Sequence, residues 1–160
     1  VNDNLDIAAF IMFGDVELTI AAATELLKKA PDFDCIITAE SKGIPLAYEM
    51  SRQSGKKYIL ARKSKKLYMK KAVAVDGKSI TTAKLQELFL DMFDMEYLHG
   101  KRVLIVDDVI STGESLAAME MLVKKAGGKV AGRATVLAEG DAANRDDIIF
   151  LAPLPLFFKE

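Results

Sequence analysis

The residues best suited to chemistry lie in one short stretch, where two carboxylates precede a turn rich in hydroxyls. Asp107 and Asp108 follow a continuous apolar run at residues 103–106, which is typical of a buried parallel strand. A small turn at residues 111–115 then leads into a helical pattern, and its backbone N–H groups suit a phosphate monoester. Carboxylates at a strand's carboxyl end accept hydrogen bonds from sugar hydroxyls or hold Mg²⁺, directly or through water. The stretch therefore predicts a site for a ribose 5-phosphate.

Other phosphate-binding patterns are missing from the sequence or do not fit its order. A P-loop requires GxxxxGK[ST] and a dinucleotide-binding turn requires GxGxxG, and neither occurs. A receiver domain also places paired acids after a strand, but after its first strand, whereas only about fifty residues follow Asp108. A strand that ends in two acids before a capped helix also occurs as a purely structural feature, so that alternative stays open at this point.

A second unit of strand, loop and helix is predicted at residues 33–51. An apolar run at residues 33–39 enters a glycine-containing loop, after which residues 44–51 follow a helical pattern. Taken alone, this loop is equally well explained as an ordinary strand-to-helix turn with a surface lysine. The loop residues are Glu40, Ser41, Lys42 and Gly43.

A basic segment accompanies the next predicted strand, at residues 57–62. Eight Lys and Arg residues and no acidic residue lie between positions 56 and 71, although the net charge of the whole chain is −1. A local basic run in a nearly neutral protein indicates a polyanionic ligand, so no nucleic-acid partner is expected. Arg62 and Lys63 are the best candidates because they stand at the strand's carboxyl end, whereas many of the other lysines fit a solvated loop.

The composition is that of a soluble globular protein, with 51% hydrophobic and 28% charged residues. A length of 160 residues predicts a single domain. No apolar run approaches the ~20 residues of a membrane span and no signal peptide is recognisable, so no membrane partner is expected. Cys35, the only cysteine, leads into a predicted strand and is interpreted as an inert core thiol, in agreement with a reducing cytoplasm.

The elements that must position these residues form an α/β pattern. Asp15 is a candidate N-cap, and Val16, Ile20, Ala23 and Leu27 recur at helical spacing after it, which predicts a helix that packs on the sheet. The expected fold is a doubly wound α/β domain with a mostly parallel sheet of about five strands. Further strands are predicted at residues 130–138, interrupted at Gly132 and Arg133, and at residues 148–152.

An arm is predicted between the basic segment and the carboxylate strand. Residues 72–75 and 79–81 are interpreted as a hairpin around an Asp76-Gly77 turn. The apolar residues that follow, from Leu85 to Met92, match helical spacing. His99, the only histidine, precedes Gly100 and is interpreted as a surface or helix-cap residue rather than a catalytic one.

Residues 103–115, VLIVDDVISTGES, resemble the phosphoribosyl pyrophosphate signature of the type I phosphoribosyltransferases, over thirteen positions without a gap. The segment AESKGIPLAYEM is similar to the pyrophosphate loop of the adenine branch, which also has an Arg-Lys pair at the position of Arg62 and Lys63. The resemblance covers roughly residues 33–137. It implies transfer of ribose 5-phosphate from phosphoribosyl pyrophosphate to a purine base, with Mg²⁺ as cofactor, and a homodimer.

The resemblance also implies a role for each candidate residue. Asp107 and Asp108 would hold the ribose hydroxyls, steady an oxocarbenium-like cation and bind Mg²⁺. The 5-phosphate would be held by Ser111, Thr112, Gly113, Glu114 and Ser115. The pyrophosphate would lie against Glu40, Ser41, Lys42, Gly43, Arg62 and Lys63.

Three features outside these contacts follow from the same resemblance. A non-proline cis peptide is implied at Glu40-Ser41. Residues 67–90 would form a flexible arm that closes as a lid and ends as a strand near Leu90, before a short helix from Asp91. Residues 1–14 and 153–160 would form a hood over the base or subunit contacts.

The identity of the base depends on two positions. The 6-oxopurine branch has an aspartate where this chain has Ser111, whereas the adenine and xanthine branches have a small residue there, so adenine is favoured. The arm has no counterpart of the glutamate of the adenine enzymes. A xanthine transferase and a non-catalytic relative that binds phosphoribosyl pyrophosphate as a regulator therefore stay open as alternatives.

Overall fold

The computed structural model describes residues 5–69, 71–75 and 87–158. In chain order the strands and helices are β1 (Leu5–Ile7), α1 (Val16–Lys29), β2 (Cys35–Ala39), α2 (Ile44–Ser54), β3 (Tyr58–Ala61), β4 (Val73–Val75), β5 (Leu88–Leu90), α3 (Met92–Leu98), β6 (Arg102–Ile110), α4 (Glu114–Lys125), β7 (Lys129–Glu139), β8 (Ile149–Leu154) and β9 (Leu156–Phe158). A 3₁₀ helix (Gly140–Asn144) connects β7 to β8.

The central sheet has five strands in the order β3-β2-β6-β7-β8, and every neighbouring pair is parallel. Helices α1 and α2 pack on one face, and α3 and α4 pack on the other. This arrangement confirms the predicted doubly wound α/β fold. Cys35, at the start of β2, is fully buried, as its interpretation as a core thiol requires.

Strand β6 is buried on both faces, which explains why its apolar run is unbroken. Val103 and Ile105 belong to the core beside α4, whereas Leu104 and Val106 belong to the core beside α1 and α2. The strand therefore emerges at the carboxyl edge of the sheet with Asp107 and Asp108 fixed by packing on both sides.

Helix α1 begins where the sequence predicts, since Asp15 Oδ1 accepts a hydrogen bond from Leu18 N–H at 3.0 Å. Its predicted buried face is wrong at two positions, because Val16 and Ile20 are 67% and 42% exposed. Smaller side chains face the sheet and let the helix approach it closely. The residues that α1 buries are Thr19, Ala22, Ala23 and Leu26.

Strand β4 pairs with β5, the strand that precedes α3. Val73 lies opposite Leu90 and Val75 lies opposite Leu88, in an antiparallel pair with β5. Residues 79–81, the predicted hairpin partner of residues 72–75, lie outside the described residues, so that hairpin stays a prediction. Both leucines of β5 are fully buried in the core, which stabilises the pairing of β4 with β5. The Asp76-Gly77 turn lies outside the described residues.

The strand that ends at Leu90 and the short helix after it are confirmed. Asp91 Oδ1 accepts a hydrogen bond from Asp94 N–H at 2.9 Å and caps α3. His99 is the C-cap of α3, and its Nδ1 lies 3.1 Å from the carbonyl oxygen of Ala126. The interpretation of His99 as a helix-cap residue is thus confirmed.

The two ends of the described chain pair with each other, since β1 and β9 form an antiparallel two-stranded sheet apart from the central one. Strand β7 continues through Gly132 and Arg133, with a shift of register opposite Val103 and Leu104, so the predicted interruption is only a local irregularity. Within the described part of the chain, no helix combines the length and apolar character that crossing a bilayer demands.

Candidate functional site

The two predicted loops meet at the carboxyl edge of the sheet because β2 and β6 are parallel neighbours. Gly43 of the first loop packs directly against Asp107, which lies in β6 three residues before the strand ends at Ile110. A Cβ at position 43 would lie 2.6 Å from Thr38 Oγ1, closer than real Cβ atoms come to their neighbours, and 3.0 Å from Asp107 Oδ1, which is tighter than most real Cβ contacts. Only glycine therefore permits this approach of the loop to the carboxylate.

The paired carboxylates are largely withdrawn from solvent. Asp108 is 5% exposed, and its Oδ2 has no hydrogen-bond partner among the described residues. Asp107 Oδ1 accepts a hydrogen bond from Asp108 N–H at 2.9 Å. Burial, and then the neighbouring charge of Asp108, raise the pKa of Asp107 well above its ordinary value. Two such carboxylates gain most when a cation or hydroxyl donors are placed beside them.

The turn after β6 presents backbone donors. Gly113 has a left-handed φ of 82° and precedes α4, and no side chain caps that helix N-terminus. The first three N–H groups of a helix have no intrahelical acceptor, so they are open to an external anion. Ser111 and Thr112 are exposed beside them. The predicted residues 111–115 are thus brought together around one helix end.

Arg145 is a residue that sequence reasoning missed. A Cβ on Gly113 would lie 3.2 Å from Arg145 Nη1, so the guanidinium lies directly over the turn. Its Nε and Nη2 donate to the two carboxylate oxygens of Asp147 at 2.9 and 2.8 Å, which fixes its orientation. Arg145 follows the 3₁₀ helix after β7, and its approach depends on the neighbouring order of β6 and β7. No local pattern in the sequence signals it.

The loop after β2 is held by an ion pair. Glu40 Oε1 lies 2.5 Å from Arg62 Nε, and Glu40 Oε2 accepts a hydrogen bond from Lys63 N–H at 2.8 Å. The Glu40-Ser41 peptide is cis, as the resemblance implies. The carboxylate of Glu40 is therefore engaged by the Arg-Lys pair, and its contribution is to position those two residues.

Arg62 is also tied to the end of the arm. Its backbone exchanges two hydrogen bonds with Phe89 of β5, at 2.9 and 2.8 Å. The side chain of Lys63 is exposed, as is that of Lys42. The structure thus brings the predicted cations to one edge, with Arg62 fixed and the two lysines free to reach a ligand.

A cavity of about 280 Å³ opens beside the carboxylates. Lys42, Asp108 and Ser111 lie on its wall, and so does Glu139, at the end of β7. The rest of the wall is apolar and comes mainly from both termini of the chain, namely Ala8, Ala9, Phe10, Val109 and Leu154. The terminal segments therefore border the same space as the two loops.

The residues at this edge suit Mg²⁺ held jointly with a substrate. Among residues 5–69, 71–75 and 87–158 no three His, Cys, Asp or Glu side chains are grouped as a metal cluster. Mg²⁺ is commonly bound by one or two carboxylates together with substrate phosphates and water. Asp107 and Asp108, with the unpartnered Oδ2 of Asp108, match that donor set.

Comparison with known proteins agrees with this geometry. The family model described as "Phosphoribosyl transferase domain" matches residues 16–152. An adenine phosphoribosyltransferase of Cenarchaeum symbiosum is 38% identical over 132 residues, which are 79% of this chain and 73% of that protein. A hypoxanthine/guanine phosphoribosyltransferase of Methanotorris igneus is 34% identical over 121 residues, which are 74% of this chain and 62% of that protein. The chain therefore belongs to the phosphoribosyltransferase family.

The fold is also that of solved members. The adenine phosphoribosyltransferase of Thermoanaerobacter pseudethanolicus superposes with a TM-score of 0.69 at 24% identity, covering 86% of this chain and 79% of that one. A purine phosphoribosyltransferase from Pyrococcus horikoshii superposes with a TM-score of 0.55 at 25% identity, covering 90% of this chain and 85% of that one. Both neighbours support the assignment of the fold.

Proposed function

We propose that the protein transfers ribose 5-phosphate from phosphoribosyl pyrophosphate to a purine base, adenine first among them, and releases pyrophosphate. The contact of Gly43 with Asp107 carries the proposal, because it joins two loops suited to anions around one pair of carboxylates. Phosphoribosyl pyrophosphate has a phosphate at one end of its ribose and a pyrophosphate at the other. It therefore matches two anion-binding loops with a pair of carboxylates between them. The relatives named adenine and hypoxanthine/guanine phosphoribosyltransferases support a purine acceptor.

In this proposal different residues at the carboxyl edge of the sheet bind the phosphate, the pyrophosphate and the ribose of the donor. The open N–H groups of α4 and the hydroxyls of Ser111, Thr112 and Ser115 hold the 5-phosphate. Lys42, Arg62 and Lys63 hold the pyrophosphate as it leaves. Asp107 and Asp108 accept hydrogen bonds from the ribose hydroxyls and stabilise the positive charge that develops on the ribose ring.

Mg²⁺ belongs to the proposal as a bound cofactor. Asp107 and Asp108 would hold it, directly or through water, together with oxygens of the donor. When bound it neutralises charge on the donor as pyrophosphate departs. The pKa of Asp107 is raised by burial and by Asp108, so a cation would favour its ionised form.

The terminal segments and the arm complete the proposed site. Water at the reacting carbon would hydrolyse the donor, so the cavity beside Asp108 must be covered during turnover. On one side the cavity is bordered by residues of the N-terminal segment, namely Ala8, Ala9 and Phe10. We propose that residues 67–90 close from the other side.

A homodimer in the cytoplasm is also part of the proposal. Val16, Ile20 and Tyr48 are 67%, 42% and 57% exposed and line one apolar groove of about 390 Å³ between α1 and α2. An apolar surface of this kind is typical of a subunit contact. A cytoplasmic location agrees with the buried, unpaired thiol of Cys35.

Turnover with a panel of bases tests the function. Pyrophosphate release is measured with phosphoribosyl pyrophosphate, Mg²⁺ and adenine, guanine, hypoxanthine or xanthine in turn, and adenine is expected to react fastest. Xanthine as the best acceptor would make the protein a xanthine transferase. Tight donor binding without turnover of any base would identify a regulatory relative instead.

A further inference from the structure

The cavity beside the carboxylates contains one charged group that donor binding does not use. Its other polar wall residues, Lys42, Asp108 and Ser111, belong to the two donor loops. The fourth is Glu139, which lies among the apolar residues contributed by the termini. A largely apolar cavity with one carboxylate outside the two donor loops fits a flat heterocycle that carries an amino group.

Glu139 is held at this place by the sheet. It is the last residue of β7 and lies in register with Leu154 of β8, while Ala138 before it pairs with Ile110 of β6. The side chain is half-buried and makes no ion pair or hydrogen bond with another residue in the described part of the chain. A polar group in such surroundings gains stability when a partner arrives, because removal from water without one is costly.

The chemistry of a carboxylate determines which partner fits. An ionised carboxylate only accepts hydrogen bonds, so it complements an amino group and repels a carbonyl oxygen. Adenine and guanine carry an exocyclic amino group, whereas hypoxanthine carries none. Hypoxanthine has a carbonyl oxygen where adenine has its amino group, and a site built to hydrogen-bond a substrate amino group rejects the analogue that lacks it more strongly than an apolar pocket rejects a change of size.

We propose that Glu139 selects the base, by accepting a hydrogen bond from an exocyclic amino group of the purine. The inference rests on the proposed transferase function and specifies its acceptor as an amino-bearing purine. Glu139 is thus a specificity residue that touches the base, whereas Asp107 and Asp108 act on the ribose. The role belongs to the end of β7, which the phosphoribosyl pyrophosphate signature does not include.

The test compares Glu139→Gln with the wild type on adenine and hypoxanthine, at saturating donor and Mg²⁺. Glutamine has the same shape, loses the charge and adds a donor that suits a carbonyl oxygen. We expect the ratio of kcat/KM for adenine to that for hypoxanthine to fall by roughly 10-fold or more, with the KM of the donor unchanged. Asp141→Asn, which changes an exposed acid two residues later, is the matched control and is expected to leave the ratio unchanged.

An equal loss for both bases, or an unchanged ratio, would overturn the role of Glu139 while leaving the transferase function intact. Absence of turnover in the wild type would instead contradict the proposed function. In that case calorimetric titration of adenine and hypoxanthine, with ribose 5-phosphate and Mg²⁺ present, decides the inference. A preference for adenine that Glu139→Gln removes supports it, and equal binding of both bases by the wild type contradicts it.

Discussion

The four α-helices of the described residues begin in two different ways. Helices α1 and α3 start with aspartates, Asp15 and Asp91, whose carboxylates accept hydrogen bonds from the first turn. Helices α2 and α4 start after glycines, Gly43 and Gly113, and have no side-chain cap. In the first pair the aspartate accepts a hydrogen bond from one N–H of the first turn, whereas in the second pair no side chain of the described residues does so. Those uncapped helices are the two that follow the predicted ligand loops.

The two helices that start after a glycine, α2 and α4, also differ from each other. In α2, Ile44 N–H already donates to Ser41, at 3.2 Å, and Pro45 has no N–H to offer. Helix α4 has no such substitutes, so its N–H groups are available. This difference agrees with our proposal that the 5-phosphate lies at the backbone donors of α4 and the pyrophosphate at the cations beside α2.

The largest effect on donor binding is expected from substitution of the paired carboxylates, which lie between the loops that contain Gly43 and Gly113. Asp107→Asn with Asp108→Asn should lower the affinity for phosphoribosyl pyrophosphate by ~100-fold or more, because each side chain loses its negative charge and one of the two oxygens that accept from ribose hydroxyls or bind Mg²⁺. Calorimetric titration measures the loss. A double variant that still binds the donor tightly would show that the acids are not part of the site.

The single substitution Asp107→Asn should not destabilise the fold. Because the folded pKa of Asp107 is raised, ionising it disfavours the folded state, and this penalty develops as pH rises above the ordinary pKa of 3.8. Asp107→Asn removes the penalty, so its Tm should equal or exceed that of the wild type at pH 8, with a smaller advantage at pH 5. Thermal melts at both values check the sign. A large drop in Tm at pH 8 would indicate a purely structural role.

A smaller but still large effect on donor binding is expected from substitution of Gly43, before α2. Gly43→Ala should weaken donor binding by ~10-fold or more, because its Cβ would push the loop away from Asp107 and Thr38. Thr38→Ala removes the nearest obstacle, a buried hydroxyl with no partner among the described residues, and should restore part of the affinity. Unchanged affinity in Gly43→Ala would contradict the need for close approach.

Substitution of Gly113, before α4, should have a moderate effect on donor binding. Gly113→Ala forces a left-handed φ on alanine beside Arg145, which costs about 1–2 kcal/mol and should weaken donor binding by roughly 10-fold. Gly55→Ala is the matched control, since Gly55 has a φ of 70°, its Cβ would meet nothing within 4 Å, and it lies after α2. The control should lose similar stability and keep donor affinity. Equal losses of affinity would mean that strain alone is responsible.

The smallest effect is expected at the capped helices. Asp15→Ala removes the cap of α1 and should lower the free energy of unfolding by about 1 kcal/mol, with donor affinity unchanged. Chemical denaturation and calorimetry measure the two quantities. A marked loss of donor affinity would remove the distinction between capped and uncapped helices.

The sequence predicts the parts of this site that are continuous along the chain. The strand at residues 102–110 and its following turn carry their own pattern, and so does the cap at Asp15. The faces of α1 are less predictable, since Val16 and Ile20 have the right spacing but are displaced from the sheet by smaller residues. Apolar spacing alone does not distinguish a core face from a second, exposed apolar face.

The parts that no local pattern reveals depend on contacts between distant segments. Arg145 reaches Gly113, and Glu139 reaches the cavity, because β7 lies beside β6 in the sheet. The pairing of β4 with β5 is decided in the same way, by burial of Leu88 and Leu90. Strand order and packing are long-range properties, so they appear only in the folded chain.

Calorimetric titration of the wild-type protein with phosphoribosyl pyrophosphate, with Mg²⁺ and with EDTA, tests the central claim most directly. If the loops before α2 and α4 and the paired acids Asp107 and Asp108 form one donor site, binding should be 1:1, micromolar or tighter, and weakened by removal of Mg²⁺. Binding that is millimolar or weaker with Mg²⁺ present would contradict the account.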